Sequence, residues 1–179
     1  HLHPDHVSGV LNDDGTALYP NTEMVIHANE FDFWIASDAH LRMTQMAPFF
    51  DIARNVAAAY DGRIRLYSGT DVGIPGITAE PMFGHTPGHV GFVIESASEH
   101  VLVTSDVVLH SVIQLMHPDV SVAFDIDAEA ANAVRRRIFE RVVASRERVV
   151  GMHFPFPGLG RIERAGDGYR WVAEERHFF

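Results

Sequence analysis

The chain has 179 residues, 46% of them hydrophobic and 21% charged, which is the composition of one compact globular domain and not of a disordered or collagenous chain. Lys and Arg total 14 against 24 Asp and Glu, and the formal charge of −10 argues against a surface that gathers nucleic-acid phosphates or anionic lipid; a neutral or weakly charged substrate fits better. There is no Cys, so thiolate metal sites, disulfides and Cys nucleophiles are excluded, while the compartment stays open.

In chain order, His1 opens the sequence inside a dense polar motif, with no initiator Met or signal segment, so the chain reads as the larger, C-terminal part of a longer domain. A short helix start is expected over 7–11, then a turn at Asn12, Asp13, Asp14 and Gly15. Residues 23–28 form a strand candidate. Asn29 is placed to cap a brief helix through Phe31, Trp34 and Ile35, and 46–60 carries apolar residues at helical spacing.

From 63 to 106 the pattern turns to short β-prone runs at 64–67, 77–83, 90–95 and 101–104, broken by Gly, Pro and Ser. Asp127 is a good N-cap for a helix reaching about Ser145, with Ala130, Val134, Ile138 and Val142 on one face. One more strand ends at Met152, and 161–164 and 169–173 flank a Gly166, Asp167, Gly168 turn as a terminal hairpin. No run approaches the roughly 20 apolar residues of a membrane span. Strands grouped with helices imply a layered α/β arrangement in a single domain over 1–179.

Four sets of residues carry chemistry. His1, His3, Asp5 and His6 put four imidazole or carboxylate donors into six positions, the donor types that suit zinc and neighbouring divalent metals. On an extended segment His1 and His3 point the same way, and a turn at Pro4 is expected to aim Asp5 and His6 elsewhere, which serves two adjacent ions better than one. A tag is the plain alternative, although the interleaved Leu2, Pro4 and Asp5 are unlike one. Gly84, His85, Thr86, Pro87, Gly88 and His89 make a tight turn that holds a His at a strand end; a surface turn would look the same. Asp106 ends a strand, where α/β proteins place site residues, though a helix cap explains it alone. His153 follows the strand at 149–152 and precedes a Pro-rich loop, and a core His reads equally well.

The order of the whole set resembles the metallo-β-lactamase fold superfamily: His-x-His-x-Asp-His, then Gly-His-Thr-Pro-Gly-His, then a strand-end Asp, then a strand-end His. The resemblance implies an αββα sandwich of which the N-terminal β-rich half is missing. It implies that His1, His3 and His85 hold one metal, that Asp5, His6 and His153 hold a second, and that Asp106 joins both. Two divalent ions follow, zinc first, with manganese, iron or cobalt also used by relatives, and a metal-bridging hydroxide as the attacking group. His89 would orient a ligand instead of binding, and Asp5 would also shuttle a proton.

Within that superfamily, Met152 through Gly160, together with His117, Pro118, Phe124, Asp125 and the Arg135, Arg136, Arg137 run, is similar to the methyl parathion hydrolase branch. That branch and its relatives cleave phosphotriesters, lactones and aryl esters. Quorum-sensing lactonases of the better-known type carry a Tyr shortly after the bridging Asp, where this chain has Val107, Val108 and Leu109. The resemblance places Trp34, Phe49, Phe50 and Leu109 around an apolar pocket for a small neutral or apolar ester-like substrate, with plain core packing as the other reading of each. No nucleic-acid or membrane partner is implied, and a homodimer stays open. Rival readings are a thioester hydrolase of the glyoxalase II type and a non-catalytic metal-binding relative; the first lacks a clear basic C-terminal segment and the second would show a lost ligand.

Overall fold

The structure, a computed structural model, describes residues 1–174, which fall into two compact units divided after Gly69. The first unit opens with residues 1–3 in non-helical conformation and the single helical turn α1 (Pro4–Val7). Pro4 starts this turn because its fixed φ suits the first helical position and the N–H it lacks has no partner there in any case. Two strands, β1 (Met24–His27) and β2 (Ile64–Tyr67), pair in parallel with His27 opposite Tyr67. Parallel pairing needs a crossover, and the helices between them supply it. These are α2 (Ala28–Phe31), a π-turn (Asp32–Ala36), α3 (Ala39–Arg42) and α4 (Ala47–Ala59).

Helix α4 buries Phe50, Ala53 and Val56, the stripe its spacing calls for, and Tyr60 closes the same side. The cap of α2 differs from expectation. His27 is the N-cap, and its Nδ1 accepts from the backbone N–H of Asn29, so Asn29 lies inside the first turn. An imidazole nitrogen without its proton accepts in the geometry of an Asn oxygen, and nothing in the sequence favours one over the other.

The second unit is a seven-stranded sheet in the order β3 (Asp71–Ile74), β4 (Ile77–Pro81), β5 (Val90–Ser96), β6 (Glu99–Ser105), β7 (Arg148–Gly151), β8 (Leu159–Ala165) and β9 (Gly168–Ala173). All pairs are antiparallel except β6 and β7, which are parallel and connected through α5 (Ile113–Met116) and α6 (Ala128–Ser145). Asp127 caps α6 by accepting from the N–H of Ala130 at 2.9 Å. Ile138, Phe139 and Val142 of α6 pack with Leu102, Val149, Ile162 and Tyr169 of the sheet to form the core of this unit. Among the described residues no helix is long and apolar enough to cross a membrane.

Strand β3 and the short helices α3 and α5 were not expected, and the first helical turn runs over Pro4–Val7 where a start over 7–11 was expected. Strand β3 reads Asp-Val-Gly-Ile, without clean alternation, and it exists because the turn through Pro75 and Gly76 (φ 78°) folds it onto β4. Helix α5 is one turn long, too short to show a period.

Candidate metal centre

In the first unit the motif residues gather at one place. The ring centroids of His1 and His3 are 4.8 Å apart, and those of His1 and His6 are 4.2 Å apart. The chain coils at α1, which brings the ring of His6 beside that of His1. Asp5 Oδ2 lies 3.4 Å from His6 Nε2, with the Asp5 side chain about half exposed.

In the second unit the sheet itself does the positioning. Because β6 and β7 run parallel, their C-terminal ends lie side by side, Ser105 pairing with Gly151. Asp106 follows the first end and His153 the second. Ser105 takes a left-handed φ of 47°, which turns the chain sharply out of the strand. Asp106 Oδ1 is 3.3 Å from His153 Nε2. Its other oxygen, Oδ2, is 3.4 Å from Nε2 of His85, on the loop that leads from β4 into β5. One buried carboxylate thus addresses two imidazoles, one with each oxygen.

These separations discriminate between two kinds of contact. Two donors each about 2.0–2.1 Å from a single tetrahedral ion stand about 3.3–3.4 Å apart, whereas a charge-assisted hydrogen bond closes to about 2.7–2.9 Å. The pairs His6 with Asp5, His85 with Asp106 and His153 with Asp106 all fall at the first distance. His85 shows the contrast within one ring, since its Nδ1 meets Asp125 Oδ1 at 2.8 Å. The donor set and its spacing fit divalent ions.

The supporting residues explain why His85 presents Nε2. Asp125, its side chain fully enclosed, accepts from the Nδ1 side of His85 and, through Oδ2, from the N–H of Val122 at 3.0 Å. The loop rests on the start of α6: Gly84 O and His85 O accept from the N–H groups of Asp127 and Ile126 at 2.9 and 3.0 Å. Gly84 is obligatory, since its φ is 142° and a Cβ there would lie 2.3 Å from Ala131 N. Burial lowers the pKa of His85, but the carboxylates of Asp106 and Asp125 outweigh this and leave it above the ordinary value.

His89 has both nitrogens engaged. Its Nδ1 donates to Met82 O at 2.8 Å and its Nε2 accepts from the N–H of Asp106 at 3.0 Å, so it fixes the backbone of the carboxylate that faces His85 and His153. Burial pushes its pKa down to about 3, which keeps the ring neutral and able to accept.

The four residues expected to line a pocket divide. Trp34 and Phe50 are fully buried and offer no surface, so they are core residues of the first unit. Phe49 and Leu109 are half-buried. Phe49 and Trp34 both meet the ring of His3 at 5.3 Å in T-shaped contact. Sequence reasoning missed Asp125 and Glu30 as site residues. Glu30 is a buried acid that accepts from the N–H of Leu2, between His1 and His3, at 2.8 Å.

The family profile described as "Metallo-beta-lactamase superfamily" matches residues 1–153. No curated protein sequence matches the chain. Among solved structures, AidC, a dizinc quorum-quenching lactonase, is 25% identical with a TM-score of 0.90; the match covers 99% of this chain and 63% of AidC. AbOPH, a hydrolase in the beta lactamase superfamily, is 27% identical with a TM-score of 0.91 over the same shares. A probable metal-dependent hydrolase from Staphylococcus aureus, at 18% identity and TM-score 0.77, shares the fold over 99% of this chain and 61% of its own. The chain therefore spans under two thirds of the length of these neighbours.

Proposed function

We propose that this chain, which belongs to the metallo-β-lactamase superfamily, is the ligand-bearing part of a two-metal hydrolase that cleaves ester-type bonds in small neutral or apolar substrates. The observation that carries the reading is the Asp106 carboxylate, with its two oxygens 3.4 and 3.3 Å from the Nε2 atoms of His85 and His153. In this reading His1, His3 and His85 hold one ion, Asp5, His6 and His153 the other, and Asp106 serves both. Imidazole and carboxylate donors suit zinc, and also manganese, iron or cobalt. When bound, such ions supply Lewis acidity and a water acidified to near neutral pH.

The chain's own groups have separate tasks. Asp125 keeps His85 in the tautomer that presents Nε2. His89 anchors the Asp106 backbone. Asp5, half exposed beside His6, would pass a proton between the reacting centre and solvent. Phe49 and Leu109 are the half-buried apolar side chains left to meet a substrate. A lactone, an aryl ester and a phosphotriester are the candidate bonds. The lactone is supported by AidC and the phosphotriester by the motif likeness to the methyl parathion hydrolase branch.

The test is hydrolysis of one substrate of each kind by the full-length protein, before and after chelation, and by Asp106→Asn. Turnover of at least one substrate, lost on chelation and in the variant, is expected. Turnover indifferent to both treatments would refute the two-metal reading.

A further inference from the structure

The first unit contains a buried acid that no step of the proposed reaction uses. Glu30 is 1% exposed, on α2. A carboxylate in such a place is costly unless its oxygens accept hydrogen bonds. Its Oε1 accepts two: from the backbone N–H of Leu2 at 2.8 Å and from the indole Nε1 of Trp34 at 2.7 Å. Leu2 and Trp34 are themselves 4% and 0% exposed, so both bonds lie in a dry interior where they are strong.

The two donors belong to one local arrangement. Leu2 is the residue between His1 and His3, so fixing its N–H fixes the backbone from which both imidazoles project. Trp34 is the edge against which the His3 ring rests, at 5.3 Å and 75°. The π-turn that follows α2, closed by Ser37 N–H donating to Asp32 O at 2.7 Å, carries Trp34 in its middle. Turns of this kind concentrate at functional sites. A single carboxylate oxygen therefore sets both the origin of two histidines and the wall of one of them.

We propose that Glu30 is a positioning residue: through Oε1 it holds the Leu2 backbone and the Trp34 indole, and so sets the geometry in which His1 and His3 take a divalent cation. The inference rests on the reading of His1 and His3 as metal ligands. Both bonds need an acceptor at Oε1, which Gln can supply and an apolar residue of similar size cannot.

The experiment titrates the metal-free full-length protein, Glu30→Leu and Glu30→Gln with cobalt(II) alone, following the visible absorption of the bound ion, with far-ultraviolet circular dichroism as the check on folding. Glu30→Leu is expected to bind cobalt about 10–100-fold more weakly, the range seen when a group behind a ligand is lost, with an altered visible spectrum. Glu30→Gln is expected to stay within about threefold of the parent, since a neutral acceptor retains most of such a bond. A folded Glu30→Leu that binds cobalt as the parent does overturns the proposal. If Glu30→Leu fails to fold, Glu30→Gln decides: parent-like affinity and spectrum support it, and a loss of about tenfold or more overturns it. A parent that binds no cobalt overturns the ligand reading itself, and that failure shows before any substitution is made.

Discussion

Replacing Asp125 by Asn tests whether the chain spends its buried acids on orienting ligands. The Asp125 side chain is enclosed, with Oδ1 on His85 Nδ1 at 2.8 Å and Oδ2 accepting from Val122 N–H at 3.0 Å. Asn keeps the shape but has one oxygen and one NH2. Whichever way the amide is turned, an NH2 faces a donor: Val122 N–H in one orientation, His85 Nδ1–H in the other. His85 can escape the second clash only by moving its proton to Nε2, the atom that faces Asp106. Losing a charge-assisted bond of this kind costs about 1.5–3 kcal/mol. At about 1.4 kcal/mol per tenfold, that is a fall of about 10–100-fold in metal affinity. Competition of the full-length protein against a chromophoric chelator measures it. An affinity within about threefold of the parent, in a folded variant, would mean that Asp125 does not orient His85.

Three further outcomes follow from the same geometry. Gly84→Ala, with φ at 142° and a Cβ 2.3 Å from Ala131 N, is expected to lower stability by at least about 3 kcal/mol by urea unfolding, and a loss under about 1 kcal/mol would mean that the loop gives way freely. Arg135 is 1% exposed and donates to Val107 O and Pro118 O at 2.7 Å, tying the segment after Asp106 to α6. Arg135→Met should cost about 2–4 kcal/mol and speed amide exchange over 107–120; unchanged exchange there would contradict the tie. The Tyr67 phenol is raised by burial from 10.0 to about 12. The folded value lies above the unfolded one, so its contribution is complete below pH 10 and is lost as pH rises towards 12. Stability measured between pH 9 and 12 should fall less steeply in Tyr67→Phe, and identical slopes would count against the buried phenol.

The parts of the fold that were legible carried their own periodic signal. The strands near 90–95 and 101–104 are rich in β-branched residues, and α6 combines an Asp127 cap with apolar residues four apart. Strand β3 was not legible because tertiary pairing, not propensity, makes it a strand. The donor types of the site stood out because four of them crowd into six positions, but the coil at Pro4 that returns His6 to His1 is a three-dimensional fact. Glu30 and Asp125 were invisible as site residues because an acid in a short helix or loop is ordinarily a solvated surface charge. Only their burial and the donors they accept from reveal otherwise. Trp34 illustrates the converse, for an aromatic beside a metal-ligand motif can serve as the back wall of a histidine and never reach the substrate.

In the proposed centre one carboxylate, Asp106, serves two ions, each held in part by its own histidine. Elemental analysis of the full-length protein beside His153→Ala tests it most directly. About two divalent ions per chain are expected in the parent and about one in the variant, because the ion at His153 loses a ligand while the one at His85 keeps its set. No metal in the parent, or two retained without His153, would contradict it.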